Sequence, residues 1–247
     1  MFSSNASKLF CLTMLLAAIF YSGKSQSKTI RVNDTLTLNA RLTQHDEFES
    51  GLSNWIVEQQ PGGNVEISEG KMEITDASGC TVWFREKLSA PCMIEYDAMV
   101  IGKGGPHDRV SDLNCFWMAL DPENQGNFFH PKKERKGKFS HYHSLRLYYV
   151  GVGGHNNSTT RFRRYPGDGT RPLLPEHDLT SEKYLITPNI VNRIRIIVYK
   201  NLVQYYLNDE LFFSINDPAP YHSGYFGIRT VNNHMTVDDF RVYSITE

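Results

Sequence analysis

The 247-residue chain carries 26 basic and 27 acidic side chains, a formal charge of −1. It therefore lacks the basic stripe that a broad nucleic-acid surface needs. At this length one all-β domain with one sizeable core is expected, since such domains run to roughly 200–250 residues.

Residues 1–26 read as a secretory signal: Lys8 precedes the 13-residue apolar run Leu9–Tyr21, and small and polar residues follow. The run is too short for a membrane span, which needs about 20 apolar residues, and no second run follows. The mature chain, 27–247, is expected to be one exported domain, periplasmic or extracellular, with no membrane span. Cys11 lacks the small neighbours of a lipidation site. Cys80, Cys92 and Cys115 remain. Cys80 and Cys92 are placed to bridge if their strands are adjacent, although the odd count and β-rich flanks favour buried thiols. Their spacing is not that of a zinc site.

Thr29–Leu42 alternates as an opening strand or hairpin, and Trp55 and Val57 share a face suited to a first core anchor. NVEISEGKMEIT gives a hairpin around Glu69-Gly70, with Val65 and Ile67 facing Met72 and Ile74. In Cys92–Gly102, Ile94, Tyr96, Ala98 and Val100 share one face while Met93, Glu95, Asp97 and Met99 share the other. Asp112–Pro122 is apolar on both faces and reads as a central strand. Residues 121–140 form a long loop with a solvated basic cluster, Lys132–Lys138, and a second loop with four prolines and two glycines spans Pro166–Pro188. Loops of that length are often functional. Five short strands close the chain, and no stretch shows sustained helical periodicity. The spacing says sandwich or barrel.

Between the loops lies Phe139–Tyr165, where histidines, tyrosines and arginines crowd two strands and a Gly-rich link. Ser144, Arg146 and Tyr148 share one strand face; Asn157, Thr159, Arg161, Arg163 and Tyr165 share another. Aligned over one sugar groove, the arginines would clamp a uronate carboxylate. They would also stabilise the enolate formed when the neighbouring proton leaves. His143, Tyr148 and His155 are the candidate proton carriers. Asn114, Trp117 and His107 flank them as candidate sugar contacts, Trp117 competing with a core role. The alternative is that these side chains are ordinary exposed cross-strand pairs. The Gly151–Gly154 stretch lacks the lysine and helix of a phosphate loop.

The tail, VYKNLVQYYLNDELFFSINDP followed by GYFGIRTVNNHMTVDDFRVYSI, together with FESGLSNW near the start, resembles concanavalin-like (laminin-G-like) jelly rolls, the YesU-like bacterial proteins among them. The resemblance spans most of residues 46–245. It implies an all-β jelly-roll β-sandwich of two antiparallel sheets and a carbohydrate partner. That superfamily holds hydrolases, lyases and binding modules, so fold alone does not choose the activity. It also implies a structural calcium near Asp238 and Asp239, with oxygens such as those of Asp46 or Glu47, although Ca²⁺ needs six to eight oxygens. A family-16-like glycosidase would show Glu-x-Asp-x-x-Glu. Here Glu95-Tyr96-Asp97 is followed by Val100, so the second carboxylate is missing. The reading that results is an exported carbohydrate-active protein, a lyase of acidic glycans. Its alternatives are a hydrolase of the same fold and a non-catalytic glycan-binding module.

Overall fold

A sandwich needs strands whose alternate side chains serve opposite faces. The computed structural model, which describes residues 27–124, 126–130 and 135–247, is built from such strands. In chain order they are β1 (Ser27–Arg31), β2 (Thr37–Asp46), β3 (Trp55–Gln59), β4 (Asn64–Ser68), β5 (Lys71–Asp76), β6 (Cys80–Phe84), β7 (Leu88–Ser89) and β8 (Cys92–Val100). There follow β9 (Leu113–Leu120), β10 (Arg146–Gly153), β11 (Thr159–Pro166), β12 (Asp178–Leu179), β13 (Asn192–Tyr199), β14 (Leu202–Leu207), β15 (Glu210–Asn216), β16 (Ser223–Thr230) and β17 (Asn233–Thr246). The leader expected at 1–26, Cys11 with it, and part of the basic cluster at Lys132–Lys138 lie outside the described residues. Among the described residues no helix is long and apolar enough to cross a membrane.

Sheet A runs β1-β2-β17-β8-β13-β14-β15, with β4 and β5 joined to β17; sheet B runs β12-β11-β10-β9-β16-β6-β3, with β7 on β16. All the pairings are antiparallel. The fold is a jelly-roll β-sandwich, as the tail's resemblance implies. The β4–β5 hairpin has the expected register, Val65 opposite Ile74 and Ile67 opposite Met72. The core lies between the sheets. Ile94, Tyr96, Ala98 and Val100 of β8 meet Trp117 of β9, Tyr148 and Val150 of β10, and Phe226 and Ile228 of β16.

Two expectations change. Val57 shares a face with Trp55 but is 39% exposed, because β3 is the edge of sheet B. Cys80 and Cys92 lie on β6 and β8, in different sheets, so no bridge between adjacent strands forms. Cys80, Cys92 and Cys115 are free and buried, and burial pushes the Cys92 and Cys115 thiols up to about 12.

The central strands of sheet B are buried on both faces, which is why β6 and β9 read as continuous apolar runs. Its outer face carries a second cluster, in which Trp83, Phe116, Ala119, Leu147 and Tyr165 of the sheet are covered by Phe128, Tyr142 and Leu145 from the β9–β10 connection. A buried ion pair fastens that cover. Arg135 donates to both oxygens of Glu58 at 2.8 and 3.1 Å and lies 4.4 Å from the Phe128 ring. Trp83 Nε1 and Tyr142 Oη donate to the same carboxylate at 3.0 and 2.7 Å. Glu58→Ala strands a charged guanidinium in a dry site and is expected to cost about 3–5 kcal/mol. Asp97→Ala, which removes the exposed Arg193 pair, should cost about 0–1 kcal/mol. Urea unfolding of both variants checks the contrast.

Candidate functional site

The outer face of sheet B is not wholly covered. Beyond Phe139 a cleft of about 290 Å³ opens over β10 and β11, lined by Arg109, Asp112, Tyr149, Gly151, His155, Arg161, Arg163 and Arg171. Cross-strand register builds its floor: Tyr149 lies opposite Arg163, and Gly151 opposite Arg161 on one side and Asn114 on the other. Glycine is required at 151. A Cβ there would come within 2.2 Å of Tyr149 Oη and 3.0 Å of Asn114 Oδ1. The missing side chain is the space in which both polar atoms sit.

Arg161 forms a fork on Asp178, with Nε to Oδ1 at 2.9 Å and Nη2 to Oδ2 at 3.0 Å, and its Nη1 lies 2.6 Å from His155 Nε2. Because a guanidinium can only donate, His155 Nε2 is the acceptor in this contact. His155 sits in a left-handed turn with Asn156 and Asn157, whose φ values are 53°, 59° and 57°. Conformations of that kind persist where surroundings over-determine them. Here Asn157 binds both the N–H and the carbonyl of Ile186, and Arg109 Nε donates to Asn156 Oδ1 at 2.9 Å.

Arg163 donates to the Arg171 carbonyl, and the Arg171 guanidinium lies 5.3 Å from the Phe139 ring. Arg109 donates to Asp112 at 2.8 Å and to the Val231 carbonyl at 2.7 Å. Four guanidiniums thus face two carboxylates, Asp112 and Asp178. Burial and the neighbouring Arg171 and Arg161 charges hold Arg163 below the usual guanidinium range. Burial pushes the Tyr149 phenol up, with Tyr165 and Asp112 adding to it, so Tyr149 keeps its proton.

Of the expected site residues, Arg161, Arg163 and His155 line this cleft, and Asn114 lies beside its Gly151 floor; Asn114 Oδ1 is buried and has no hydrogen-bond partner among the described residues. The others do not. Tyr148 faces the core, with Oη donating to Asp217 at 2.6 Å and accepting from Tyr221 N at 3.0 Å. Arg146 shares that face and stacks 4.6 Å from the Tyr221 ring. Trp117 is 0% exposed among Tyr148, Phe162 and Tyr205, so the core role prevails. His143 lies behind the cleft wall, edge-on to Phe139 at 5.1 Å, and burial with the Arg171 and Arg229 charges lowers its pKa. His107 is on the 101–112 loop outside the cleft lining.

The reason for the swap from Tyr148 to Tyr149 is strand parity. Val150 and Val152 put Tyr148's face in the core, while Gly151 and Gly153 open Tyr149's face. Tyr149 was therefore detectable from the V-G-V-G pattern. Arg109, Asp112, Phe139 and Arg171 lie off the paired strands and carry no such signal.

The expected calcium oxygens divide: Glu47, Asp238 and Asp239 share one acidic hollow, and Asp46 is outside its lining. Asp46 is used up by Phe48 N, Asn54 Nδ2 and Trp55 Nε1, which lock the β2–β3 connection. Glu69 and Asp97 also line the hollow. Glu95 and Asp97, the half-motif of a hydrolase, lie on β8 in sheet A. They are paired with Lys28, Arg195 and Arg193, far from the cleft's strands in the sheet order.

A family model described as "Domain of unknown function (DUF6250)" matches residues 74–240, which include β9, β10 and β11. No curated protein matches the chain in sequence. Among solved structures, a Bacillus subtilis protein of unknown function with a galectin-like fold is 16% identical with a TM-score of 0.66, covering 83% of this chain and 97% of that one. The carbohydrate binding module CBM66 from Bacillus subtilis is 12% identical at 0.53, covering 77% and 96%. The endo-β-1,3-glucanase from Pyrococcus furiosus is 15% identical at 0.53, covering 89% and 98%. At these identities the likeness is one of fold.

The loop that carries Arg109 is tied down by His234, whose Nδ1 is 2.8 Å from Asp108 and whose Nε2 is 2.7 Å from Glu73. Burial alone would lower the His234 pKa, but the bonds to Glu73 and Asp108 outweigh it and raise the value above 6.5. A raised folded pKa gives stability that is complete below the unfolded value and fades as pH rises through the folded one. Thermal melts across pH should show His234→Gln furthest below the native chain at and just below 6.5, with the gap closing towards alkaline pH.

Proposed function

The chain belongs to the DUF6250 family, and from that premise we propose that it is an exported carbohydrate-active enzyme that cleaves uronate-containing glycans by β-elimination in the cleft over β10 and β11. The observation that carries this reading is the excess of guanidinium over carboxylate around one cleft. The jelly-roll fold, shared with a carbohydrate-binding module and a glucanase, supports a sugar as the ligand. The arginines favour a sugar that bears a carboxylate, which guanidinium forks match in shape and charge.

Elimination is favoured over hydrolysis by what the cleft lacks. A retaining hydrolase needs two carboxyl groups about 5–5.5 Å apart. Among the described lining residues Asp112 is the sole carboxylate, and Arg109, Ser111 and Asn114 occupy its oxygens. For elimination, Arg163 and Arg161 hold the uronate carboxylate and stabilise the negative charge that spreads onto it as the adjacent C–H is deprotonated. The electron pair of that C–H bond becomes the new C=C bond, the bond to the leaving oxygen breaks, and the oxygen takes up a proton. Tyr149, held protonated on the floor, donates it. His155 is the base: when the sugar carboxylate takes the Arg161 Nη1 donor, with Arg161 still forked on Asp178, the Nε2 lone pair is released to accept the proton. These assignments replace Tyr148 by Tyr149 and set His143 aside.

A second reading follows from the same contact. If Arg161 stays on His155, the cleft binds its glycan without cleaving it.

Purified protein incubated with uronate and neutral polysaccharides separates the cases. Lyase action gives an ultraviolet-absorbing unsaturated uronide together with new reducing ends. Saturated reducing ends alone would replace elimination by hydrolysis, and binding without product would leave a glycan-binding protein. Tyr149→Phe should lower kcat by about 10²–10⁴-fold while sugar is still bound. Tyr148→Phe should instead lower the melting temperature and leave turnover per folded molecule unchanged.

A further inference from the structure

Sugar chains that cross a jelly-roll sheet run from strand to strand, so the row of side chains across sheet B tells where a bound chain can go. Through Arg161 that row reads Arg161, Gly151, Asn114, Arg229, Thr81 and Glu58. It is open at one end and shut at the other. Arg161 borders β12 at the edge of the sheet, beside the exposed His155. Past Gly151 exposure falls to 3% at Asn114, 1% at Arg229 and 0% at Thr81.

What shuts the row is the β9–β10 connection. Phe139 lies 6.2 Å from Tyr149 and 4.7 Å from the Arg229 guanidinium, and Tyr142 lies 4.9 Å from the same guanidinium. The parallel row through Arg163 and Tyr149 ends in the same way, since Phe116 and Trp83 are capped by Tyr142 and Phe128. The plug is rigid. Glu58 binds Arg135 and Tyr142 within it, and Arg229 fastens its Gly137 carbonyl at 3.0 Å.

We infer that the cleft is a dead end that receives the terminus of an acidic glycan, or a short oligosaccharide, and does not accommodate a chain passing through. This rests on the sugar-binding reading above and adds to it the kind of substrate. The volume fits, since about 290 Å³ stands at the small end of the roughly 300–1,000 Å³ of ligand pockets. Sugars beyond the bound end hang over the β12 edge, where the cleft offers them no walls.

The test uses the full chain and saturated galacturonate, mannuronate, guluronate and glucuronate oligomers, each as mono-, di- and hexasaccharide, titrated calorimetrically. For whichever sugar binds, the disaccharide and hexasaccharide dissociation constants should agree within about twofold. A hexasaccharide bound about tenfold tighter, the equivalent of about 1.4 kcal/mol of added contact, would show a through-groove and overturn the inference. Binding by none of these oligomers would instead remove the acidic-sugar reading and the dead end with it. If a polymer of the bound sugar is cleaved, the first products should be the shortest ones, with viscosity falling slowly. An early ladder of mid-length products with a rapid fall in viscosity would also sink the dead end, yet leave the elimination chemistry standing.

Discussion

The Arg135–Glu58 pair is the contact on which the working face of this sandwich depends. A sheet with Trp83, Phe116, Ala119 and Leu147 on its outer face cannot leave them in water, because each large apolar side chain is worth about 1.5–3 kcal/mol on burial. The β9–β10 connection supplies the cover, and its arginine enters with it. Burying that charge is tolerable only because Glu58 meets it with two hydrogen bonds and three aromatic rings surround it. The cleft is what this cover leaves over. Its floor is the part of the face where glycine and polar side chains replace the apolar ones.

Electrostatics in the cleft follow from the same burial. Arg229 sits beneath the plug with no carboxylate among its hydrogen-bond partners: Nη1 reaches Thr81 and the Gly137 carbonyl, while Nε and Nη2 have none among the described residues. Its charge, opposed by Asp76 without a hydrogen bond between them, acts across a dry interior, where fields carry further than in water. It depresses the His143 pKa and offsets part of the rise at Tyr149. With Arg163 held low by burial first and then by its like-charged neighbours, an anion entering the cleft would meet a charge that burial has made less comfortable, which a neutral sugar would not relieve.

Strand positions and faces were legible in the sequence wherever one face had to be apolar. β8 shows it, with Ile94, Tyr96, Ala98 and Val100 inward, and β9, apolar on both faces, is central as its composition implies. What the sequence left open is register. A one-residue difference in parity moves a whole row to the other side of the sheet, and that difference separates Tyr148, bound to Asp217 in the core, from Tyr149 on the cleft floor. Loop contributions were less legible still. Arg109 and Arg171 reach the cleft through folded connections whose paths depend on Asp108, His234 and Phe139, all remote from them in pattern if not in number. Asp46 shows the converse error. An acid that looked free to hold a metal is the acceptor that seats Trp55.

Preorganisation sets the cleft arginines apart from ordinary surface charges. Arg109 is held by Asp112, Asn156 and the Val231 carbonyl, and Arg161 by both oxygens of Asp178. A guanidinium already fixed loses little rotamer freedom on meeting a ligand, so more of its attraction appears as affinity. Arg163 differs, since its Nη1 is committed to a backbone carbonyl and Asp178, whose carboxyl its charge helps to hold low, is forked by Arg161. The division of labour is physical: Arg109 keeps the wall in place, while Arg161, anchored on Asp178, and Arg163 beside Tyr149 offer the guanidinium edges that a carboxylate would meet.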